Sequence, residues 1–520
     1  MRRTLPAAAA VCILTVIYVA KLDFSPVYLI NDEVNSGLQA YSLATTGRGT
    51  AGERLPVYFA EPEFPAGRDP MNIYATALLL KAVPLSEVSV RLPSAIVGVV
   101  GVLLMYAAAR PLFGSARSAI IAAALLAITP AYFILSRIGL PPVWPIPFML
   151  GWLWSLATFS TSRQPWRLWL GAFLLGASCL AYLGAAAVAP FFLGGTLLWL
   201  YRIGERRPRC YALVLAGFAA PLLLVVYAAL QHPSRFTDLF QYYGGEAASR
   251  MADAGVSSSS ERSLTNFLAW QRRISTYWNY FNPNFLFIAG DDSPRYSTGH
   301  TGVFLLPFAI LIPFGVRRLS AETGTTRLGW LIAAIFFCTP IVASLQSDLQ
   351  IKRVLPMVPF GVLLAVAGFG AMTRSDRRWV RATAGVLAVV LPLQFAVFVV
   401  DYYTRYRLKS GAWRSGNLRG ALIQVLHDAG GRDARVYLSA KIPNAQIYWR
   451  FYAIAEHMPP LADRAVVLDT TPANLAHVRS GSLLVAYTDE VRGTAAADWR
   501  LASSIYELDG PTFFSIYERR

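Results

Sequence analysis

The stretch SVRLPSAIVGVVGVLLMYAAARPLFG, residues 89–114, decides the class of fold. From about residue 92 to residue 109 it runs almost without a polar side chain. A helix of that length crosses roughly 30 Å of hydrocarbon. Its apolar residues are continuous rather than alternating, which excludes the strand of a β-barrel. Inside a bilayer only a helix satisfies its own N–H and C=O groups.

Comparable runs recur along the first 400 positions. The chain has 520 residues, is 55% hydrophobic and only 15% charged, with a mean hydropathy of +0.43. The expected fold class is therefore a polytopic α-helical membrane protein. Eleven spans are read, near 5–22, 72–109 (a re-entrant or interfacial piece, then one span from about 92), 118–135, 143–160, 167–181, 184–201, 211–230, 301–316, 328–345, 353–372 and 382–400.

The net charge is +17. Its placement argues against nucleic acid as a partner. Basic residues gather in short loops such as RIGERRPR (202–209), VRRLSAETGTTR (316–327) and TRSDRRWVR (373–381). These alternate with loops that hold most of the acids, which is the positive-inside pattern. It puts the N-terminus in the cytoplasm, and an odd number of spans then puts the C-terminus outside. The first apolar segment reads as a retained anchor rather than a cleaved signal. Cys12, Cys179, Cys210 and Cys338 lie in or beside apolar runs and read as small core residues without a disulfide framework.

Three outer segments are long: 23–91, 231–300 and the tail 401–520. SSSS (257–260) in the second reads as flexible. The tail changes period. Helices NLRGALIQVLHDAG, NAQIYWRFYAIAEH and ANLAHVRS alternate with strands ARVYLSA and AVVLD, and strands SLLVAY, ASSIYEL and FFSIYER follow. The domain organisation read here is a membrane domain over 1–400 and a small α/β extracytoplasmic domain over 401–520.

The first outer segment contains YLINDEVNSGLQAYSLATTGRG, residues 28–49. Val34, Leu38 and Tyr41 recur at helical spacing after Asn31-Asp32. Asn31 or Asp32 can cap this helix and Gly47 can end it. It reads as a helix in the outer membrane interface. On local sequence alone Asp32 is a cap and Glu33 its solvated neighbour.

The wider pattern adds a second reading. INDEVNSGLQAYSL, GRDPMNIYATALLLKAV, SVRLPSAIVGVVGVLLMYAAARPLFG, YFNPNFLFIAGDDSPRYSTGHTG (280–302) and KRVLPMVPFGVLLAVAGFG (352–370) occur in that order. Over about residues 1–370 this resembles the polyprenyl-phosphate-sugar-dependent glycosyltransferases of the GT-C class. The glycosyltransferase family 39 group, with the protein O-mannosyltransferases and aminoarabinose transferases, looks most similar. The resemblance implies sugar transfer from a polyprenyl-phosphate donor to an acceptor hydroxyl or phosphate on a protein, lipid or glycan, outside the cytoplasm and with inversion. It implies that Asp32 is the base for the acceptor. Glu33 orients the acceptor or Asp32, or completes the helix turn.

Such a donor carries its own leaving group. The chemistry needs a base and positive charge for the departing phosphate. Candidate phosphate-binding residues at outer span ends are Arg353, Lys352, Arg137, Arg68 and Arg295, each also suited to anchoring in lipid headgroups. Asp69, before Pro70, and His300 are candidate ligands, with Asp32, for a divalent metal as cofactor. Pro141-Pro142 stands where relatives often carry a second acid, which weighs against that metal. Tyr277, Trp278, Tyr280, Phe281 and Phe285 line a sugar or prenyl cavity or belong to an aromatic belt, and the role of Tyr182 is open.

The alternative class is a lipid or sugar transporter or flippase. That class favours charges or Gly/Pro-broken helices mid-span in matched halves; the spans here hold few mid-membrane charges and no matched halves. A third class, a non-enzymatic envelope protein, places binding in the tail. No phosphate loop, dinucleotide fingerprint, zinc-protease motif or nucleophile elbow occurs.

Overall fold

The computed structural model describes residues 4–61, 64–231, 233, 259–320, 328–346, 348–430, 434–491 and 498–520. Ser257 and Ser258 of the serine run lie outside the described residues, whereas Ser259 and Ser260 open a helix.

The chain divides into two compact units. The first comprises Met1–Ala20, Ala51–Asn72 and Ser94–Val400; the second comprises Lys21–Thr50, Ile73–Pro93 and Asp401–Arg520.

Most of the described chain is helical. In order come α1 (Thr4–Val19), α2 (Asn31–Thr46), a short hairpin of β1 (Phe59–Glu61) and β2 (Phe64–Arg68), then α3 (Pro70–Leu80), α4 (Glu87–Phe113), α5 (Ala116–Ala127), α6 (Pro130–Ser136), α7 (Pro145–Ser162), α8 (Trp166–Ala181), α9 (Leu183–Arg202) and α10 (Pro208–Gln231). Further helices cover Ser259–Asn279, Phe308–Ser320, Gly329–Ala343, Ile351–Thr373 and Arg378–Tyr403.

Five described helices are long and apolar enough to cross a membrane: α4, α9, α10, Ile351–Thr373 and Arg378–Tyr403. The pair α5 and α6 makes a sixth if its 63° bend is counted within one span. The cause of the bend is local. Thr129 precedes Pro130 and is extended, with ψ 119°, as the proline ring demands of its predecessor. The other predicted spans coincide with helices, several of them shorter than a full crossing. The segment read as 301–316 enters its helix only at Phe308, because residues 301–307 form an irregular approach. Five or six helices among the described residues thus have the length and apolarity of a full crossing, and the count of eleven spans is not confirmed.

Small residues let helices of the first unit approach closely. A Cβ on Gly315 would meet the Leu364 carbonyl oxygen at 1.8 Å, and one on Gly368 would meet that of Leu311 at 2.0 Å. These reciprocal positions put the backbones of Phe308–Ser320 and Ile351–Thr373 in direct contact, the usual device where lipid supplies no hydrophobic drive.

The second unit is built on a five-stranded sheet of β3 (Val436–Ser439), β4 (Ala465–Leu468), β5 (Leu483–Tyr487), β6 (Trp499–Tyr506) and β7 (Thr512–Arg519), in the order β4-β3-β5-β7-β6. β3 pairs in parallel with β4 and β5; β7 pairs antiparallel with β5 and β6. Each predicted tail strand is present.

α2 departs from expectation. Leu29 and Val34 join Leu422, Val425, Trp449 and Phe451 in one buried cluster, and Leu38 and Tyr41 pack against it. The apolar face of α2 is covered by protein instead of lying in lipid. Gly37 has Phe451 and Val90 side-chain carbons at 2.9 Å from where a Cβ would stand.

Candidate active site

In the second unit the Asp-Glu pair opens α2. Ile30 is the residue before the first turn, so Asp32 is the second helical residue and not the cap. Glu33 performs the reciprocal half of capping: its Oε2 accepts from the Ile30 N–H at 3.2 Å. Gly47 ends the helix in the left-handed conformation, φ 70°.

Glu33 is fully buried. The Arg91 Nε donates to its Oε1 at 2.8 Å, and the Arg91 Nη2 and Arg414 Nη1 donate to its Oε2 at 3.3 and 3.2 Å. Arg91 also donates to the carbonyls of Leu22, Pro26 and Tyr28. Every N–H of its guanidinium is thereby used. Both arginines are fully buried. Glu87, at the start of α4, accepts from the Tyr452 hydroxyl at 2.8 Å and from Arg419 at 3.0 Å.

Asp32 is half-buried and shares its surroundings with Tyr448. The Tyr448 hydroxyl donates to the Leu29 carbonyl at 3.1 Å and lies 2.9 Å from the Ser415 Oγ. Burial pushes this phenol up, and the charges of Glu33 and Asp32 push it further. Tyr448 is neutral beside a carboxylate.

The first unit gathers other predicted residues at the head of α9. The Asp69 carboxyl lies within electrostatic reach of the Leu183 N–H, the first of that helix. Asp69 keeps some exposed surface, yet protein atoms surround it densely. Burial drives its carboxyl up to about 7, against the pull of the Leu183 N–H and of Arg68. Burial also raises the phenol of Tyr58, and the Asp69 charge adds to this. Arg68 pairs with Glu61 on the facing strand. Tyr182, the residue before Leu183, lies within electrostatic reach of Arg353.

Arg353 donates to the Asp348 carboxylate at 2.6 Å and to its carbonyl at 2.7 Å. Lys352 places its Nζ 3.3 Å from the Tyr296 hydroxyl and 5.1 Å from the centre of that ring. The buried Asp291 fixes both basic residues. One of its oxygens accepts from Ser293 N and the other from Ile351 N, each at 2.9 Å. Ile351 is the first residue of the helix that carries Lys352 and Arg353. Two stretches singled out in the sequence, GDDSPR and IKRV, are thus one structure. Gly290 allows it: its φ is +81°, and a Cβ there would stand 2.6 Å from the Ser297 Oγ.

The remaining candidates lie apart from this group. Arg137 is fully buried, and its guanidinium donates to the carbonyls of Ile17, Tyr18 and Ala20. The structure gives it the task of closing the C-terminus of α1. Arg295 and His300 are exposed on the 280–302 loop. Among the described residues no group of three or more His, Cys, Asp or Glu side chains is arranged to hold a metal ion. Tyr280 and Phe285 are buried, whereas Trp278 is exposed.

Sequence reasoning missed Arg91, Arg414, Asp291 and Tyr448. Arg91 did carry a signal, since an arginine at the mouth of an apolar run is costly unless paired. Arg414 carried none, as it meets Glu33 across 381 positions.

Residues 65–228 match the family model described as dolichyl-phosphate-mannose-protein mannosyltransferase. The fold is similar to the crystal structure of ArnT from Cupriavidus metallidurans bound to undecaprenyl phosphate, with a TM-score of 0.62 at 14% identity over 99% of this chain and 98% of that one. The apo state of the same protein gives 0.62 at 15%, with the same coverage. Archaeal oligosaccharyltransferase AglB from Archaeoglobus fulgidus, in complex with an inhibitory peptide and a dolichol-phosphate, gives 0.49 at 14%, over 88% of this chain and 64% of that one. No curated protein matches the sequence significantly. Residues 65–228 thus resemble that mannosyltransferase family, and the chain shares the fold of ArnT along nearly its whole length. The chain is an integral membrane protein with a C-terminal sheet domain.

Proposed function

We propose that this chain is a glycosyltransferase that moves a sugar from a polyprenyl-phosphate carrier to an acceptor on the extracytoplasmic side of a plasma membrane. The observation that carries the reading is the pair Lys352 and Arg353. It is half-buried among phenols and pinned by Asp291 at the head of a long apolar helix. Such a pair suits an anionic headgroup whose tail continues into lipid. The match to the mannosyltransferase model and the likeness to a structure bound to undecaprenyl phosphate support the same class of donor.

In the proposed reaction Asp32 takes the proton of the acceptor hydroxyl. The acceptor oxygen forms a bond to the anomeric carbon as the bond from that carbon to the phosphate oxygen breaks. The electron pair leaves with the polyprenyl phosphate, and the configuration inverts. Positive charge offsets the charge on the departing phosphate, and Lys352 and Arg353 are the proposed donor-phosphate ligands of the first unit. Glu33 is a positioning residue, because its oxygens are occupied by Arg91, Arg414 and the Ile30 N–H. No step is routed through a metal.

The test is sugar transfer in vesicles supplied with polyprenyl-phosphate sugars, comparing the unaltered chain with Asp32→Asn and Lys352→Ala/Arg353→Ala. Loss of turnover in the first, with donor binding retained, and loss of donor binding in the second are expected. Full turnover by Asp32→Asn removes Asp32 from the chemistry.

A further inference from the structure

The helix Ser259–Asn279 ends one residue before Tyr280. Its described side chains fall on three sides. Thr276 turns inward and is buried, as is Tyr280 just beyond. Gln271, Arg272, Ser275 and Asn279, with the exposed Leu268 at their N-terminal end, make a mostly polar side. Phe267, Trp270, Ile274 and Trp278 make the third, and they are 65%, 59%, 56% and 64% exposed. Their spacing of three, four and four residues keeps them in one stripe. On a helix of 3.6 residues per turn that stripe lies roughly opposite Thr276, so it faces away from the protein.

Water is a poor neighbour for four such side chains. The surrounding structure points to the occupant. The Tyr277 hydroxyl donates to the Phe337 carbonyl at 3.2 Å, and the rings of Phe281 and Phe337 lie 5.5 Å apart. Phe337, Ile341 and Leu345 are themselves exposed, four residues apart, along and just past the apolar helix Gly329–Ala343. The two apolar surfaces meet where the helices meet.

We infer that the helix Ser259–Asn279 seats in the membrane interface. Phe267, Trp270, Ile274 and Trp278 dip among acyl chains, and Arg272 reaches headgroup phosphates. Trp and Phe on one side with Arg on another is the composition of a helix lying in that plane. Arg273 lies 5.4 Å from the Trp270 ring, on the flank of the stripe away from the polar side. The seat bears on the site through Tyr280. Its hydroxyl donates to the Asp348 carbonyl at 3.4 Å, and Asp348 is the partner of Arg353. The depth of the helix in the bilayer therefore sets the position of Tyr280, Asp348 and Arg353. This last link rests on the proposed donor-binding role of Arg353.

The first experiment uses the full chain with its four native cysteines replaced and a nitroxide at Ile274→Cys or Ser275→Cys, in phosphatidylcholine vesicles. The label at 274 is expected to collide preferentially with oxygen and the label at 275 with a water-soluble nickel chelate. Equal access of nickel to both overturns the seat. Spin–spin broadening at 274 also overturns it, since a second copy then covers the stripe. If the cysteine-free chain does not fold, a second measurement keeps the native cysteines. Brominated lipids should quench Trp270→Phe/Trp278→Phe less than the unaltered chain, and equal quenching overturns the proposal. For the coupling, Trp270→Ser/Trp278→Ser should raise the donor KM severalfold in vesicles with little change in kcat. An unchanged KM removes the coupling. Absence of transfer by the unaltered chain removes the donor reading instead and leaves the depth measurement standing.

Discussion

Glu33 holds two buried guanidinium groups, and its loss would leave both without their carboxylate. Removing one member of a buried ion pair typically costs about 3–5 kcal/mol, because the other charge stays desolvated. Arg414→Ala should therefore lower the melting temperature sharply. Arg414→Lys should recover only part of the loss, since an ammonium keeps the charge but not the planar fork. A thermal scan of the two variants that showed no difference from the unaltered chain would sink this view of Glu33. Asp69 gives a prediction of opposite sign. Its folded pKa is raised from 3.8 to about 7, so the folded state binds a proton that the unfolded state has lost. Stability from this group falls as pH rises from about 4 to about 7 and stays low above that. The penalty is at most about 4 kcal/mol, reduced by screening because Asp69 is not fully enclosed. Asp69→Asn should flatten the pH dependence in that window and be neutral or stabilising at pH 8. Chemical denaturation at pH 5 and pH 8 reads this directly.

Among elements, the loop that precedes Ile351 is the most constrained. Gly290 is left-handed and crowded by the Ser297 Oγ. Gly290→Ala should cost about 1–3 kcal/mol and disturb the Asp291 contact to Ile351. If Lys352 and Arg353 bind donor phosphate, this substitution should weaken donor binding with no charge removed, which a titration with polyprenyl phosphate would detect. Local sequence revealed the elements well. The tail strands and helices are where period and turn residues put them, and Gly47 ends α2. The sequence said less about what covers each element. The apolar face of α2 has helical spacing, and spacing alone does not distinguish lipid from the side chains of Trp449 and Phe451. The irregular start at 301–307 was hidden for a related reason, since an apolar stretch reads alike whether it enters its helix early or late. Glu33 as a partner of Arg414 was invisible, because nothing local to either residue names the other.

At the scale of the molecule, the second unit draws on three stretches of chain, 21–50, 73–93 and 401–520. Its core mixes Leu29, Val34, Leu85 and Val90 with residues of the sheet domain. A chain ended at residue 400 should thus lose more than the tail. The apolar face of α2 would be uncovered, and hydrogen exchange over residues 31–46 should speed up by orders of magnitude. Retained protection of α2 in that truncation would show that the two early stretches fold without the tail. Composition had announced the membrane class, and the order of the motifs had announced the family resemblance. The number of full crossings did not follow, because helix length is set by proline breaks and packing as well as by hydropathy.

The grip on Glu33 has a consequence for the order in which the protein is made. A ribosome delivers residue 33 early, residue 91 somewhat later and residue 414 only after most of the chain has been inserted. Until then the carboxylate beside Asp32 has one of its two cationic partners. The turn that presents Asp32 reaches its final form near the end of synthesis, so an unfinished chain already holding its early helices in the bilayer would lack a finished Asp32 turn.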